Sequence, residues 1–499
     1  MRPSRRLVAL LALLLLVASV SAVARLSTAD APARAAPQPP PVAAGHPDRA
    51  RAAARQRRQA AARRAQLQRL RRSPTIRAAL KRLVLLGHLS AHEQQRLRRT
   101  LSAAQRAQGR LSGTRRAELG AVIAAARALA RSHSLTETRV PAVFLTLRRN
   151  REFWTQRALP RAGQRFTFGS DPVIFQYYPG SGLALQPLAS LGRASAMASL
   201  CLAQDTHYRC RPHALRRLLD QMLSLGVERG GFLAWEYYFR FAGGTPPWIS
   251  AMTQSTAAQA FARAGRALDE VGYVRAARRA LGALDVRPPV GVGIATRAGR
   301  QFVMYSFDPG QRILNGELQA LIGVREASLL IHSSRAERLY RQAEPEARHA
   351  VRAFDTGAWS LYSSAGDEST LGYHKLLTGF LGVLCRRTGR PEYCVTQRRF
   401  ARYEREPPRV RLQLPKHIRR GQPVTLRFTV SKVSRVRIVI RGTNGLLLRR
   451  VMNVPHGPHA VGWTPLHRGP VRLRILAIGP GGTRAVVART LRVAQASTK

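Results

Sequence analysis

The stretch FDTGAWSLYSSAGDESTLGYHKLL (354–377) sets Tyr362 and Tyr373 among glycines, serines and acids, with Trp359 and His374 close by. Further tyrosines, Tyr177, Tyr178 and Tyr305, fall in similar polar stretches, although the chain has only 12. A phenol titrates near 10, and a cationic setting favours its anion, which can then act as a general base. Two tyrosines on opposite faces of a sugar could remove and return a proton at one carbon. Inverting a centre next to a carboxylate needs that pairing. The bland alternative is tyrosines that stack on sugars or complete a core.

Other chemistries find less support. Glu236, Asp308, Asp355, Asp367 and Glu368 are the carboxylates a glycosidase would draw on, but none forms a diagnostic motif, and Asp355 can be read as a turn cap. The sequence has no G-x-S-x-G elbow, P-loop, H-E-x-x-H or dinucleotide fingerprint.

The elements that must position these tyrosines can be read from periodicity. Four helical hairpins are predicted: 185–202 with 211–226, 248–267 with 270–286, 315–333 with 336–354, and 372–388 with 391–403. Hairpin-like strands such as GGFLAWEYYFRFAGG and GVGIATRAGRQFVMYSF lie between them. Regular stacking of such pairs predicts a mainly α fold, an α/α toroid over 149–405. The long loops before the first helices then converge on one face, and the short turns lie on the other. Cys201/Cys210 and Cys385/Cys394 share one spacing and fall in short turns; they are expected to pair locally as disulfides, with no metal site.

Residues 73–148 read as a helical segment, with a capping box at Ser90 and Glu93. Residues 409–495 alternate as strands, which predicts an immunoglobulin-like β-sandwich. No acid follows Glu406, so this module reads either as a polyanion binder or as a spacer. Residues 1–24 carry a basic start, an apolar run and the A-x-A site Ala22-Val23-Ala24, the pattern of a signal peptide or of an anchor. An Ala/Pro/Arg-rich linker spans 25–72, and its part from 51 reads either as a basic helix or as a solvated linker. The net charge is +57, and five lysines among 83 basic residues point to a GC-rich genome. Because a secreted or surface-anchored chain leaves the cytosol, nucleic acid is not the expected partner for this charge. The charge suits an acidic polysaccharide, or an anionic cell wall or membrane surface.

Specific blocks sharpen the reading. PPWISAMTQSTAAQAFARA (246–264), YSFDPGQRILNGELQALIGV (305–324), FDTGAWSLYS (354–363) and GYHKLLTGFLGVL (372–384) resemble, in order and spacing, blocks of the D-glucuronyl C5-epimerases. QYYPGSGLALQPLASLG (176–192) is similar to the block where that family's catalytic domain begins. The resemblance implies an α/α barrel and cofactor-free conversion of polymer-bound glucuronate to iduronate, with Tyr305, Tyr362 and Tyr373 as the catalytic tyrosines. It places Tyr178, Trp248, Gln254, Arg312, Asn315 and His374 as substrate-binding candidates. Trp248 could equally close a helix end, His374 could be a core histidine, and Asn315 could cap its helix. Family members from animals carry Asp-Leu-Arg after the matching tyrosine, where this chain has Ser363-Ser364-Ala365. Arg312 or Arg240 is the expected substitute for that arginine. A uronate lyase and a non-catalytic glycan-binding protein are the rival readings.

Overall fold

A computed structural model describes residues 47–169, 171–203, 209–415 and 417–495. The expected leader and the linker up to residue 46 lie outside these residues. From Pro47 the chain forms helix α1 (Pro47–Arg72), then α2 (Ile76–Leu85), α3 (Ala91–Arg110), α4 (Gly113–Arg131) and α5 (Val140–Gln156). Thr75 caps α2 by accepting from Ala78 N, and Ser90 with Glu93 closes a capping box on α3. The apolar stripes of α2–α4 pack with α5, where Phe153 and Trp154 are fully buried.

A meander follows: β1 (Arg165–Phe168), β2 (Asp171–Tyr178) and β3 (Gly182–Leu185). The expected hairpins are then found close to their predicted bounds. The first helices are α6 (Pro187–Leu202), α8 (Ala251–Ala267), α10 (Leu314–Ile331) and α12 (Leu371–Thr388). Their partners are α7 (Pro212–Ser224), α9 (Val271–Ala280), α11 (Ser334–Ala350) and α13 (Pro391–Tyr403). Two short hairpins intervene, β4–β5 (Val227–Arg229 and Phe232–Ala234) and β6–β7 (Gly293–Ala295 and Arg300–Phe302).

The first helices lie side by side in chain order, and each packs against its own second helix. Helix α8 therefore has neighbours on several sides, and nearly all of it is buried. Its alanine and serine content lets those neighbours approach closely. At Gly323 of α10, a Cβ would come within 2.8 Å of Ser255 O on α8. One apolar core runs from Ile76 to Tyr403, so the helices of 76–156 share it with the hairpins. The disulfides Cys201–Cys210 and Cys385–Cys394 form as expected.

The remaining strands are β8 (Val410–Gln413), β9 (Val424–Val430), β10 (Ser434–Gly442), β11 (Gly445–Val454), β12 (Gly457–Trp463), β13 (Gly469–Ile478) and β14 (Arg484–Val493). They make two antiparallel sheets, ordered β11-β10-β13-β14 and β12-β9-β8, around a second core. Strict alternation sorts the residues: Val436, Ile438 and Ile440 face inward, while Arg435 and Arg437 face out. The chain is thus mainly helical with antiparallel sheets at its C-terminal end. No described helix is long and apolar enough to cross a membrane.

Candidate active site

Each candidate tyrosine is held by backbone pairing between neighbouring loops. Residues 303–306 are zipped to the start of α8: Ala251 N donates to Val303 O (3.1 Å), Ser306 N to Ile249 O (3.0 Å) and Ile249 N to Ser306 Oγ (3.1 Å). This sets Tyr305 beside Trp248. Residues 312–313 are zipped in turn to 363–364: Ser364 N donates to Arg312 O (2.9 Å), Arg312 N to Ser364 Oγ (3.0 Å), and Ile313 bridges Ser363. This sets Tyr362 beside Tyr305. Tyr373 lies in the first turn of α12, where Thr370 Oγ1 accepts from its N–H.

The structure brings the three together. The Tyr305 and Tyr362 hydroxyls are 3.5 Å apart, and the Tyr362 and Tyr373 ring centroids 4.7 Å. Phe241, Trp248 and Phe307 enclose Tyr305, which is 6% exposed, whereas Tyr373 is 43% exposed. Tyr178 joins from the β2–β3 hairpin, stacked on Phe239 at 4.4 Å, its hydroxyl accepting from Gln186 Nε2 (2.7 Å). That hairpin is fixed by Glu118 of α4, whose carboxylate accepts from Tyr177 Oη (2.8 Å), Gly180 N (2.8 Å) and Gly182 N (2.7 Å). Gly182 sits at φ +75°, and a Cβ there would lie 2.5 Å from Val122.

The expectation of a cationic setting that favours tyrosinate is corrected. Burial and the Tyr362 phenol push Tyr305 above its ordinary range. Tyr373 moves up for the same reasons, and burial pushes Tyr178 up to about 12. The positive charge of the chain is spread over solvated surface, while these phenols sit among aromatic rings, so desolvation wins. The Gln186 hydrogen bond and Arg165 pull Tyr178 the other way, and Arg165 does so for Tyr373, but burial outweighs them.

Several substrate-binding candidates have structural partners instead. Trp248 is 4% exposed, stacks on Tyr237 at 4.1 Å and donates to Phe239 O (2.9 Å); it closes the start of α8 and is no open platform. Gln254 is fully buried and ties Trp235 N and Leu233 O, each at 3.0 Å. The Arg312 guanidinium is engaged by Glu317 (2.7 and 2.8 Å) and Glu346 (2.7 Å), so it is not a spare carboxylate partner. His374 is a core histidine: Nδ1 meets Ser360 Oγ (2.8 Å), Nε2 meets Phe400 O (3.0 Å), and the ring stacks on Trp359 at 3.7 Å. Burial lowers its pKa to about 4. Asn315 does not cap α10, since Ile313 holds that position; its side chain is buried with Oδ1 unpaired.

Of the glycosidase-type acids, Glu236 and Asp355 are likewise engaged. Arg139 and Arg229 grip Glu236 at 2.5–2.9 Å. Asp355 caps its turn by accepting from Gly357 N (2.8 Å) and also accepts from Tyr403 Oη (3.1 Å).

Arg165 was not foreseen. It pairs across the hairpin with Gln176, to whose Oε1 its Nε donates (3.0 Å). Strand alternation carries the signal, because Gln176 and Tyr178 share one face of β2.

The family described as D-glucuronyl C5-epimerase C-terminus matches residues 229–402. The stretch 176–192 lies outside that match. No curated protein matches the chain. Among solved structures, a GH76 α-mannanase from Bacteroides thetaiotaomicron is 9% identical with a TM-score of 0.31, over 44% of this chain and 60% of that one. An endo-β-1,4-glucanase from Acetobacter xylinum is 13% identical with a TM-score of 0.29, over 40% and 63%. The chain therefore spans less than two thirds of either structure. Residues 229–402, the stretch similar to the D-glucuronyl C5-epimerase C-terminus family, include Trp248, Tyr305, Tyr362 and Tyr373.

Proposed function

We propose that the protein is a secreted or surface-held epimerase that inverts C5 of hexuronate units in an acidic polysaccharide. In this reading 149–405 is an α/α toroid, 73–148 a helical segment, and 409–495 an immunoglobulin-like sandwich. One observation carries it: three phenols meet in the segment that matches the epimerase family.

The geometry divides the labour. A proton donor or acceptor must come within about 3–3.5 Å of the carbon, so two oxygens on opposite faces stand about 6–7 Å apart. Tyr305 and Tyr362, 3.5 Å apart, therefore serve one face as a unit. Tyr362 acts as the base, and the Tyr305 O–H donates to the phenolate that forms. The sugar enters between this pair and Tyr373, whose exposure leaves it reachable, and Tyr373 serves the other face. The C5 proton passes to one side, the carboxylate becomes an enediolate, and a proton returns from the opposite side. Arg165 pairs with the carboxylate and offsets the charge that develops there. Asn315 Oδ1, buried and unpaired, accepts from a substrate hydroxyl.

The test is incubation with glucuronate-containing polysaccharides in D2O, read by mass spectrometry and NMR. Deuterium at C5 together with iduronate is expected. An unsaturated, ultraviolet-absorbing product would mean a lyase, and binding without exchange would mean a glycan-binding protein. In Tyr373→Phe, one epimer should still exchange its C5 proton without inverting. Loss of both processes in that variant would break the division of faces.

A further inference from the structure

The loop that carries Tyr362 has few apolar anchors of its own. Between Phe354 and Thr370 it contains Gly357, Gly366 and four serines, Ser360, Ser363, Ser364 and Ser369. Within it, Leu361 bridges Glu368, and Tyr362 N donates to Asp367 O (2.6 Å). The strand bearing Tyr362 is therefore paired directly with the strand bearing Glu368.

The Glu368 side chain points away from this pairing and into the terminal sheets. It is 2% exposed. Oε1 accepts from Val433 N (2.8 Å) in the β9–β10 turn. Oε2 accepts from His456 N (2.6 Å) in the β11–β12 turn and lies 3.1 Å from His456 Nδ1. Both carboxylate oxygens are thus occupied by the β-module.

Lys432, in the same β9–β10 turn, makes a second attachment. It is 2% exposed, and its Nζ donates to Tyr403 O (2.7 Å) and Glu406 O (2.8 Å) at the end of the last helical hairpin. It also stands 5.2 Å over Trp359, which donates to Ser369 O (2.7 Å) and stacks on His374. The two attachments lie on either side of the loop segment that presents Tyr362.

We propose that the C-terminal β-module is a positioning element for Tyr362, with Glu368 and Lys432 as its two latches. Neither latch touches substrate. They fix the loop so that the Tyr362 hydroxyl stays beside that of Tyr305, and they cut the number of loop conformations that must be frozen when substrate binds. This gives the sheets a role that neither a spacer nor a glycan-binding module explains. The positioning role rests on the proposed use of Tyr362 in epimerisation, whereas the latching does not.

The test uses the full chain with Glu368→Gln, which turns an acceptor oxygen into a donor facing backbone N–H groups. Lys432→Met, which keeps the stem and removes the charge, is made alongside it. Amide hydrogen exchange and steady-state kinetics are read on both. Exchange across 360–369 is expected to speed up at least about tenfold while α8 and the strands of 424–478 keep their protection. kcat should fall about 10–100-fold with a smaller change in KM. Unchanged exchange at 360–369, or loss of protection throughout the chain, would overturn the latches. A loosened loop with unchanged kcat would overturn the positioning role. If the wild-type protein epimerises nothing, the exchange data still decide the latching, so its failure is distinct from failure of the proposed reaction.

Discussion

The carboxylates of the helical body and the phenols of its rim are treated in opposite ways. Glu236 is fully buried, but Arg139 and Arg229 outweigh that burial and hold it ionised. Burial likewise pushes Glu326 up, yet Arg263, Arg387 and Gln259 bring it down to about 2. These acids are fixed as anions with their oxygens occupied, and a group locked in one protonation state cannot exchange a proton near neutral pH. Tyr305, Tyr362 and Tyr373 contact one another and aromatic rings, with no arginine bonded to their hydroxyls among the described residues. In this arginine-rich chain Glu236 and Glu326 are spent on structure, whereas the hydroxyls of Tyr305 and Tyr362 are left facing each other.

The largest test of this contrast is Tyr362→Phe. It should lower C5 exchange by about 10²–10⁴-fold with little change in thermal midpoint. A variant that still turns over at more than a tenth of the wild-type rate would remove the phenols from the chemistry. Glu236→Ala should do the reverse, leaving two guanidinium groups facing each other without the carboxylate they share. We expect a loss of about 3–5 kcal/mol in denaturant unfolding with exchange per folded molecule preserved. A well-folded Glu236→Gln protein lacking all turnover would erase the distinction.

Acid should act through His374, which faces Lys432 and Asp355. Its pKa is lowered from 6.5 to about 4 in the folded chain, so the unfolded chain binds its proton first. Stability is full above pH 6.5 and falls as pH drops toward 4, by about 3 kcal/mol from this group. Equal unfolding free energies at pH 6.5 and 4 would exclude that role. The smallest effect expected is on the pH profile. With a phenol, which ordinarily titrates near 10, as the base, kcat/KM should climb about tenfold per unit between pH 7 and 9. A plateau from pH 6 upward would point back to a carboxylate base.

Periodicity made the helical hairpins legible, because each apolar stripe must be covered by a neighbour. The pairing of the cysteines followed from two local pairs of the same spacing and was found as expected. The tyrosine grouping was legible because each tyrosine precedes or opens a first helix and those helix starts lie side by side. What stayed hidden depended on contacts between remote segments. Nothing local tells that Arg312 will meet Glu346 or that Gln254 will hold Leu233 and Trp235. His374 looked equally suited to the rim and the core, and only its neighbour Trp359 decides. Arg165 needed the strand register, and the partners of Glu118 and Glu368 needed the tertiary fold.

The bond from His456 N to Glu368 spans 88 residues. At a synthesis rate of about 5–20 residues per second, the distal partner is made roughly 4–18 s after the loop it secures. Until then the rim around Tyr362 is complete in sequence but unfastened. A chain broken between Tyr403 and His456 could still assemble every helix of the body and lack a fixed Tyr362. The turns before β10 and β12 therefore act as a completion check, coupling the readiness of the rim to the arrival of the sheets that follow the helical body.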